Sequence, residues 1–385
     1  MINSLKTFVA LGLLVMLGGG PAVSEQAGTA AGSARTNLTE ANIYLVASMT
    51  MPTGIRDAAE SMIPKEMVYI GHGPSVMGLD KEEPPDSGKK PTAYNQWMKT
   101  SRSSKALHDE SPAHMVFLDS YLMDRYEVSN TDYGAFMKTT GHPAPAYWDD
   151  PRLNKSEQPV VGVNWEDANA FCEYRGKRLP TEAEWEKAAR GLKAHLYPWG
   201  NDFDPAKTNY GLNHDATMPV DSYPEGASYY GVYNMAGNVF EWVSDWYDPH
   251  YYERLETKVN PSGPAKPVWI GGTGTRVDLL TLGEKRVIRG GSWIAPEGTV
   301  RATHRFWNHP LNNSYGVGLG FRCAKTAPPE IEQQIRDNYI AALVDMGRER
   351  FAEAQQTVSR GLTIDPKNIE LWELRALLEQ SMTRP

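Results

Sequence analysis

At Lys325 the chain changes character. From Met67 to that point it is rich in aromatic residues and glycine, whereas beyond it apolar residues return at helical spacing: Ile331, Ile335, Tyr339 and Leu343 stand four apart. A chain built this way is confined to a loop-rich globule followed by a small all-α tail. The 34 Gly and 27 Pro among 385 residues demand many turns, while 41% hydrophobic residues, with 11 Trp and 19 Tyr, suffice for a folded core. A formal charge of −8 excludes the basic face that nucleic-acid binding needs, so no nucleic-acid partner is expected.

The first residues carry Lys6, an apolar run Phe8–Leu17, and small residues ending Ala22-Val23-Ser24 before Glu25. That run is shorter than the roughly 20 residues of a membrane span and predicts a signal peptide over 1–24. A periplasmic or secreted protein with no membrane span after cleavage is expected. No cysteine follows the run to carry a lipid. Residues 25–62 read as a linker with one apolar island, Ile43–Val46.

Residues 63–326 hold the main domain. Met67–Ile70 and Met77-Gly78 suggest a first hairpin, Lys81–Lys105 a polar surface insertion, and Val116–Tyr121 an alternating strand. Ser129 or Asn130 can cap a helix through Tyr133 and Phe136. A second helix covers Trp165–Cys172. A third is fixed at its start by a capping box, Thr181 with Glu184, and closed by Gly191. Glu182 and Glu184 are expected mainly to complement its dipole. Residues 248–285 form a longer surface insertion before Arg286–Arg289 returns as a core strand.

Arg178–Gly191, Gly231–Trp242, Gly290-Gly291-Ser292-Trp293 and Gly320-Phe321-Arg322-Cys323 occur in an order that resembles the formylglycine-generating enzymes, the sulfatase-modifying factors. The resemblance covers about two thirds of the chain and implies their loop-rich α/β, C-type-lectin-like fold. It also implies two reactive cysteines after the Gly-Gly-Ser, but these positions are Ala295 and Val300. Oxidation of a substrate cysteine in that family needs thiolates to hold copper(I), and neither side chain has a lone pair to offer. Cys172 and Cys323 match a structural disulfide of the family. Closing a loop of that size stabilises by roughly 5 kcal/mol; a free thiol at either position is the competing reading.

Between Asn234 and Glu241 an amide, backbone carbonyls and a carboxylate lie close in sequence, hard oxygen donors that suit calcium. The resemblance implies a calcium site of Asn234, Gly237, Val239 and Glu241, and a second involving Asn209, Tyr210 and Asp215. The alternative is that these groups satisfy buried backbone in a tight turn. In the former catalytic groove Ser292 and Arg305 keep family positions and Phe240 replaces a family Trp. Glu297, His304 and His309, with Trp307 and Asn308, are the other groove candidates. His304 and His309 are spaced too far apart to share a helix face and no third imidazole is near, so copper or iron is not expected. After Lys325, Gly347, the Ala-containing run Phe351–Ala354, and Asp365-Pro366 before Leu371–Leu378 resemble one tetratricopeptide repeat plus the first helix of another, over 327–385. Such arrays need about three repeats, so the tail should dock on its own globule or on a partner.

Two functions follow as expectations. One is an exported accessory or maturation factor that recognises a peptide or small ligand in the groove and a protein through the tail. The other is a periplasmic oxidase of the kind that matures the pyoverdine chromophore without the cysteine pair, so whether the chain is an enzyme stays open. The iron-dependent sulfoxide synthases of this fold carry their histidines in a separate helical domain, and no HxxxHxE stretch occurs here. Gly271–Gly274 and Gly316–Gly318 lack the lysine and context of a phosphate loop.

Overall fold

Burial pattern decides how the first strands pair. In the computed structural model, which describes residues 63–79, 109–255, 257–269, 283–311, 316–348 and 350–382, β1 (Met67–Ile70) is buried at all four positions, whereas β2 (Gly73–Met77) alternates. The expected signal peptide, the linker and the Lys81–Lys105 insertion lie outside the described residues. A continuously buried strand needs cover on both faces, and an alternating one can sit at a surface. The expected first hairpin is therefore not formed: β2 pairs antiparallel with β3 (His114–Leu118), and β1 pairs with β4 (Tyr121–Asp124). The single strand expected over Val116–Tyr121 breaks at Asp119-Ser120 for the same reason, since β3 and β4 serve different sheets. β9 (Ala324–Thr326) completes the β1-β4-β9 sheet, with Met123 opposite Ala324.

The third sheet positions the site. Its order is β7 (Phe306–Asn308), β6 (Arg286–Arg289), β5 (Phe240–Trp246), β8 (Leu319–Phe321). β5 runs antiparallel to β6 and parallel to β8, so Glu241 lies between Arg289 and Gly320. Three helices surround these sheets. Ser129 caps α1 (Asn130–Thr140), and a capping box of Asn164 and Asp167, which the sequence reading passed over, starts α2 (Trp165–Tyr174). α3 (Glu182–Arg190) begins with the expected box: Thr181 Oγ1 accepts from Glu184 N–H, and Glu184 accepts from Thr181 N–H.

Every residue of α3 is buried, charged ones included. Glu182 and Glu184 thus do more than complement the dipole: Arg305 holds Glu182 and Arg178 holds Glu184. Buried charge without such partners would be costly. The disulfide Cys172–Cys323 ties α2 to the turn between β8 and β9 at a Cα separation of 5.6 Å. Both sulfurs sit in one aromatic cluster with Tyr133, Phe171 and Phe321.

The described residues divide into two compact units, Lys65–Thr326 and a unit that contains everything from Ala327 onward. In the latter, α4 (Pro329–Gly347), α5 (Phe351–Ile364) and α6 (Ile369–Met382) close around Gly361. A Cβ there would stand 2.6 Å from Leu371 Cδ1 and 3.3 Å from Asn338 Cβ. Asn368 Oδ1 accepts from Leu371 N–H at the start of α6, and Trp372 Nε1 donates to the Pro366 carbonyl at 2.8 Å. Among the described residues, no helix is long and apolar enough to cross a membrane.

Because the disulfide closes a separation of 151 residues, replacing both cysteines with alanine is expected to cost about 2–5 kcal/mol in urea denaturation. An unchanged midpoint would show that the cluster around it holds without the covalent tie.

Candidate ligand groove and calcium turns

Gly290 and Gly291 adopt positive φ of 94° and 75°, and a Cβ on Gly291 would lie 2.7 Å from Val300 Cγ1. This tight turn delivers Ser292 to the interior, where its Oγ has no hydrogen-bond partner and hence no base to activate it. Trp293 donates to the Val317 carbonyl at 2.6 Å. Ala295, 7% exposed, packs in the cluster that contains Phe240, while Val300 is fully buried against Tyr197 and Ala236. The one-turn helix Glu297–Thr299 separates them. Packing, not chemistry, occupies the two positions that the resemblance assigns to cysteines.

The charged groove candidates are drawn inward. Arg305 grips Glu182 through Nε at 2.8 Å and Nη2 at 3.0 Å, and also donates to the carbonyls of Asp109 and Asp248. Arg301 makes two bonds to Glu110, at 2.9 and 2.8 Å, and His304 Nδ1 sits 3.3 Å from the same carboxylate. Burial pushes Glu110 up, but Arg301 and His304 outweigh it and hold the carboxyl at about 2. Burial pulls His304 below its ordinary range against the opposing pull of Glu110, and its Nε2 has no partner.

His309 does not join it. β7 lies between the two histidines and is itself about 10 Å long, and burial together with Lys285 lowers the His309 pKa. Trp307 and Asn308 stand opposite Val287 and Arg286 on β6. Glu297 is half-buried, and its carboxylate has no hydrogen bond or ion pair among the described residues. The groove candidates therefore split between a locked interior pair, His304 and Arg305, and a surface carboxylate, Glu297.

Asn234, Gly237 and Asn238 all have positive φ, 54°, 81° and 63°, and so form the expected tight turn. Glycine is required at 237, where a Cβ would lie 2.4 Å from the Asn209 carbonyl oxygen. Glu241 accepts from Arg322 at both oxygens, 2.6 and 2.7 Å, and from Trp185 Nε1 at 2.9 Å. No motif in the sequence marks Glu127. Its buried carboxyl accepts from Asn234 Nδ2 at 2.9 Å and from Asn238 Nδ2 at 3.0 and 3.1 Å. Burial and then the neighbouring Glu241 push the Glu127 carboxyl above its ordinary range, against the opposing pull of Arg322 and the two asparagine amides.

In the second turn the Tyr210 carbonyl accepts from Asn213 N–H, while Asn209 Oδ1 is buried and unpartnered. Asp215 is exposed on a cleft of about 420 Å³ shared with Gln158, His214 and Thr217. Among the described residues no three His, Cys, Asp or Glu side chains cluster as metal ligands. Glu241 spends both oxygens on Arg322 and Trp185, so a cation in the first turn would rely on the Asn234 amide and backbone carbonyl oxygens; these are hard donors that fit calcium, as does the bare oxygen of Asn209.

Fold and groove together define an α/β domain of the formylglycine-generating type with an apolar, cysteine-free centre. Residues 55–327 match the Sulfatase-modifying factor enzyme 1-like domain, and the chain belongs to that family. It is 34% identical over 276 residues to the formylglycine-generating enzyme of Mus musculus, a match covering 56% of this chain and 68% of the mouse protein. It is 36% identical over 244 residues to the serine/threonine-protein kinase pkn1 of Chlamydia caviae, covering 58% of this chain. The chain spans only 36% of the length of that kinase. Among solved structures, PvdO from Pseudomonas aeruginosa is similar at 25% identity and a TM-score of 0.50, over 68% of this chain and 94% of PvdO.

Two buried carboxyls beneath the groove set a pH dependence. Burial, reinforced by Glu110 and opposed by Arg305, pushes Asp109 up to about 7, and burial with Glu182 does the same to Asp245. Both folded values lie above the unfolded one, so the stability they contribute is complete below about pH 4 and is lost as pH rises through about 7. Asp245→Asn should flatten the fall in Tm across that window; an unaltered pH profile would mean that Asp245 does not titrate there.

Proposed function

We propose that this chain is an exported accessory or maturation factor that recognises a peptide or small ligand in the groove over Ser292–Val300, and is not a cysteine-dependent formylglycine synthase. The observation that carries this reading is that Ala295 and Val300 are apolar, buried and packed into separate clusters, leaving no thiolate pair for copper(I). A surface for a ligand remains: Ile294 is 37% exposed, Trp199, Phe203 and Tyr210 are half-buried around Val300, and Glu297 offers an unpaired carboxylate. Calcium is proposed as a structural cofactor at the two turns. The helical tail, with its likeness to tetratricopeptide repeats, is proposed as the contact to another protein, and export rests on the signal-peptide pattern of residues 1–24.

One observation favours the oxidase reading. His304 is buried with Nδ1 against Glu110 and Nε2 unpartnered, as an oriented imidazole would be before a cofactor or proton acceptor. The likeness to PvdO is consistent with either reading. Incubation of the purified protein with copper(I), air and a cysteine-containing peptide is expected to leave the peptide mass unchanged and to consume no oxygen. Peptide conversion would contradict the proposal. Oxygen uptake that disappears in His304→Ala would favour the oxidase.

A further inference from the structure

The geometry points to Glu127 as the residue that sets which way three buried asparagine amides face, and through them turns Asn234 Oδ1 and Asn209 Oδ1 toward a calcium ion. This positioning role rests on the calcium reading of the two turns. A carboxylate only accepts hydrogen bonds, whereas a primary amide has a donor end and an acceptor end. Glu127, 3% exposed, receives the Nδ2 of both Asn234 and Asn238, so each amide must point its nitrogen at the carboxylate.

The orientation then propagates. Asn234 gives its other N–H to the Val220 carbonyl at 3.0 Å, which leaves Oδ1 as its only free polar end. Asn238 also donates to the Met218 carbonyl, and its Oδ1 accepts from Met218 N–H at 2.8 Å and from Asn209 Nδ2 at 3.3 Å. Asn209 spends its second N–H on the Ala216 carbonyl at 3.0 Å. What remains at the end of the relay is Asn209 Oδ1, on a residue 1% exposed, with no hydrogen-bond partner.

A buried amide oxygen without a donor is an unusual terminus. It becomes reasonable where a hard cation supplies the missing positive charge, since calcium takes carbonyl-type oxygens and no donor among the described residues reaches this one. The relay cannot slip: Asn238 N–H donates to the Asn209 carbonyl at 2.8 Å, and the close approach at Gly237 locks the two turns together. Reversing any one amide would set donor against donor or oxygen against oxygen. The polarity of the relay is therefore set where both Glu127 oxygens accept from Asn234 and Asn238.

The test is calcium titration calorimetry on the full chain, stripped with a chelator, comparing wild type with Glu127→Gln and Asn209→Ala. The isosteric glutamine has a donor end and frees the amides to turn. Calcium affinity is expected to drop about tenfold or more, with the thermal midpoint in chelator showing that the domain still folds. Asn209→Ala should lose one ion while retaining the other. Wild-type affinity and stoichiometry in Glu127→Gln would overturn the positioning role but leave the calcium turns standing. A wild-type protein that takes up no calcium would overturn the turns themselves. Should Glu127→Gln fail to fold, Asn209→Ala decides: calcium binding identical to wild type would show that the relay ends on no ligand.

Discussion

Buried arginine–carboxylate pairing is the constraint on which the remainder of the domain depends. Four fully buried or nearly buried pairs, Arg289–Glu186, Arg305–Glu182, Arg322–Glu241 and Arg301–Glu110, join segments far apart in sequence. Each is hydrogen-bonded further: Arg289 also reaches the carbonyls of Ala302, Thr303 and His304. A buried pair contributes little net stability compared with apolar packing, but breaking one by deleting a partner leaves an uncompensated charge and costs about 3–5 kcal/mol. The pairs therefore act chiefly to specify one arrangement, in which α3, the third sheet and the loop 301–305 can dock in a single register.

This lattice explains how the segment from Ser292 to Val300 is held in place without cysteines. Ser292, Ala295 and Val300 are placed by the Gly290-Gly291 turn and by Arg289, Arg301 and Arg305 around them, none of which depends on a thiol. The same lattice also draws groove candidates inward, because Arg305 spends its donors inside the domain and His304 its Nδ1 on Glu110. The surface proposed for recognition consists of Ile294, Glu297 and the aromatic residues packed with Val300.

Much of the fold was legible because local signals were strong. Thr181 with Glu184 announces α3, and the succession of glycine-containing blocks carries the family. The pairing of β1 was not legible, since a four-residue apolar run looks alike in a hairpin and in the middle of a sheet; burial on both faces decided it. At the site, the asparagine and glycine residues of the candidate calcium turns could be marked by the family resemblance, but Glu127 could not. It lies 107 residues from Asn234, and only the folded chain shows that its carboxylate faces the turn. His304 and His309, both groove candidates, are near in sequence but parted by a strand.

Elemental analysis of the purified protein, together with a thiol count under denaturing conditions, most directly tests the proposal of a disulfide-tied domain that holds calcium and no redox metal. The account predicts calcium, no copper or iron, and no free thiol. Stoichiometric copper or iron would contradict it and move His304 from a structural residue to a ligand.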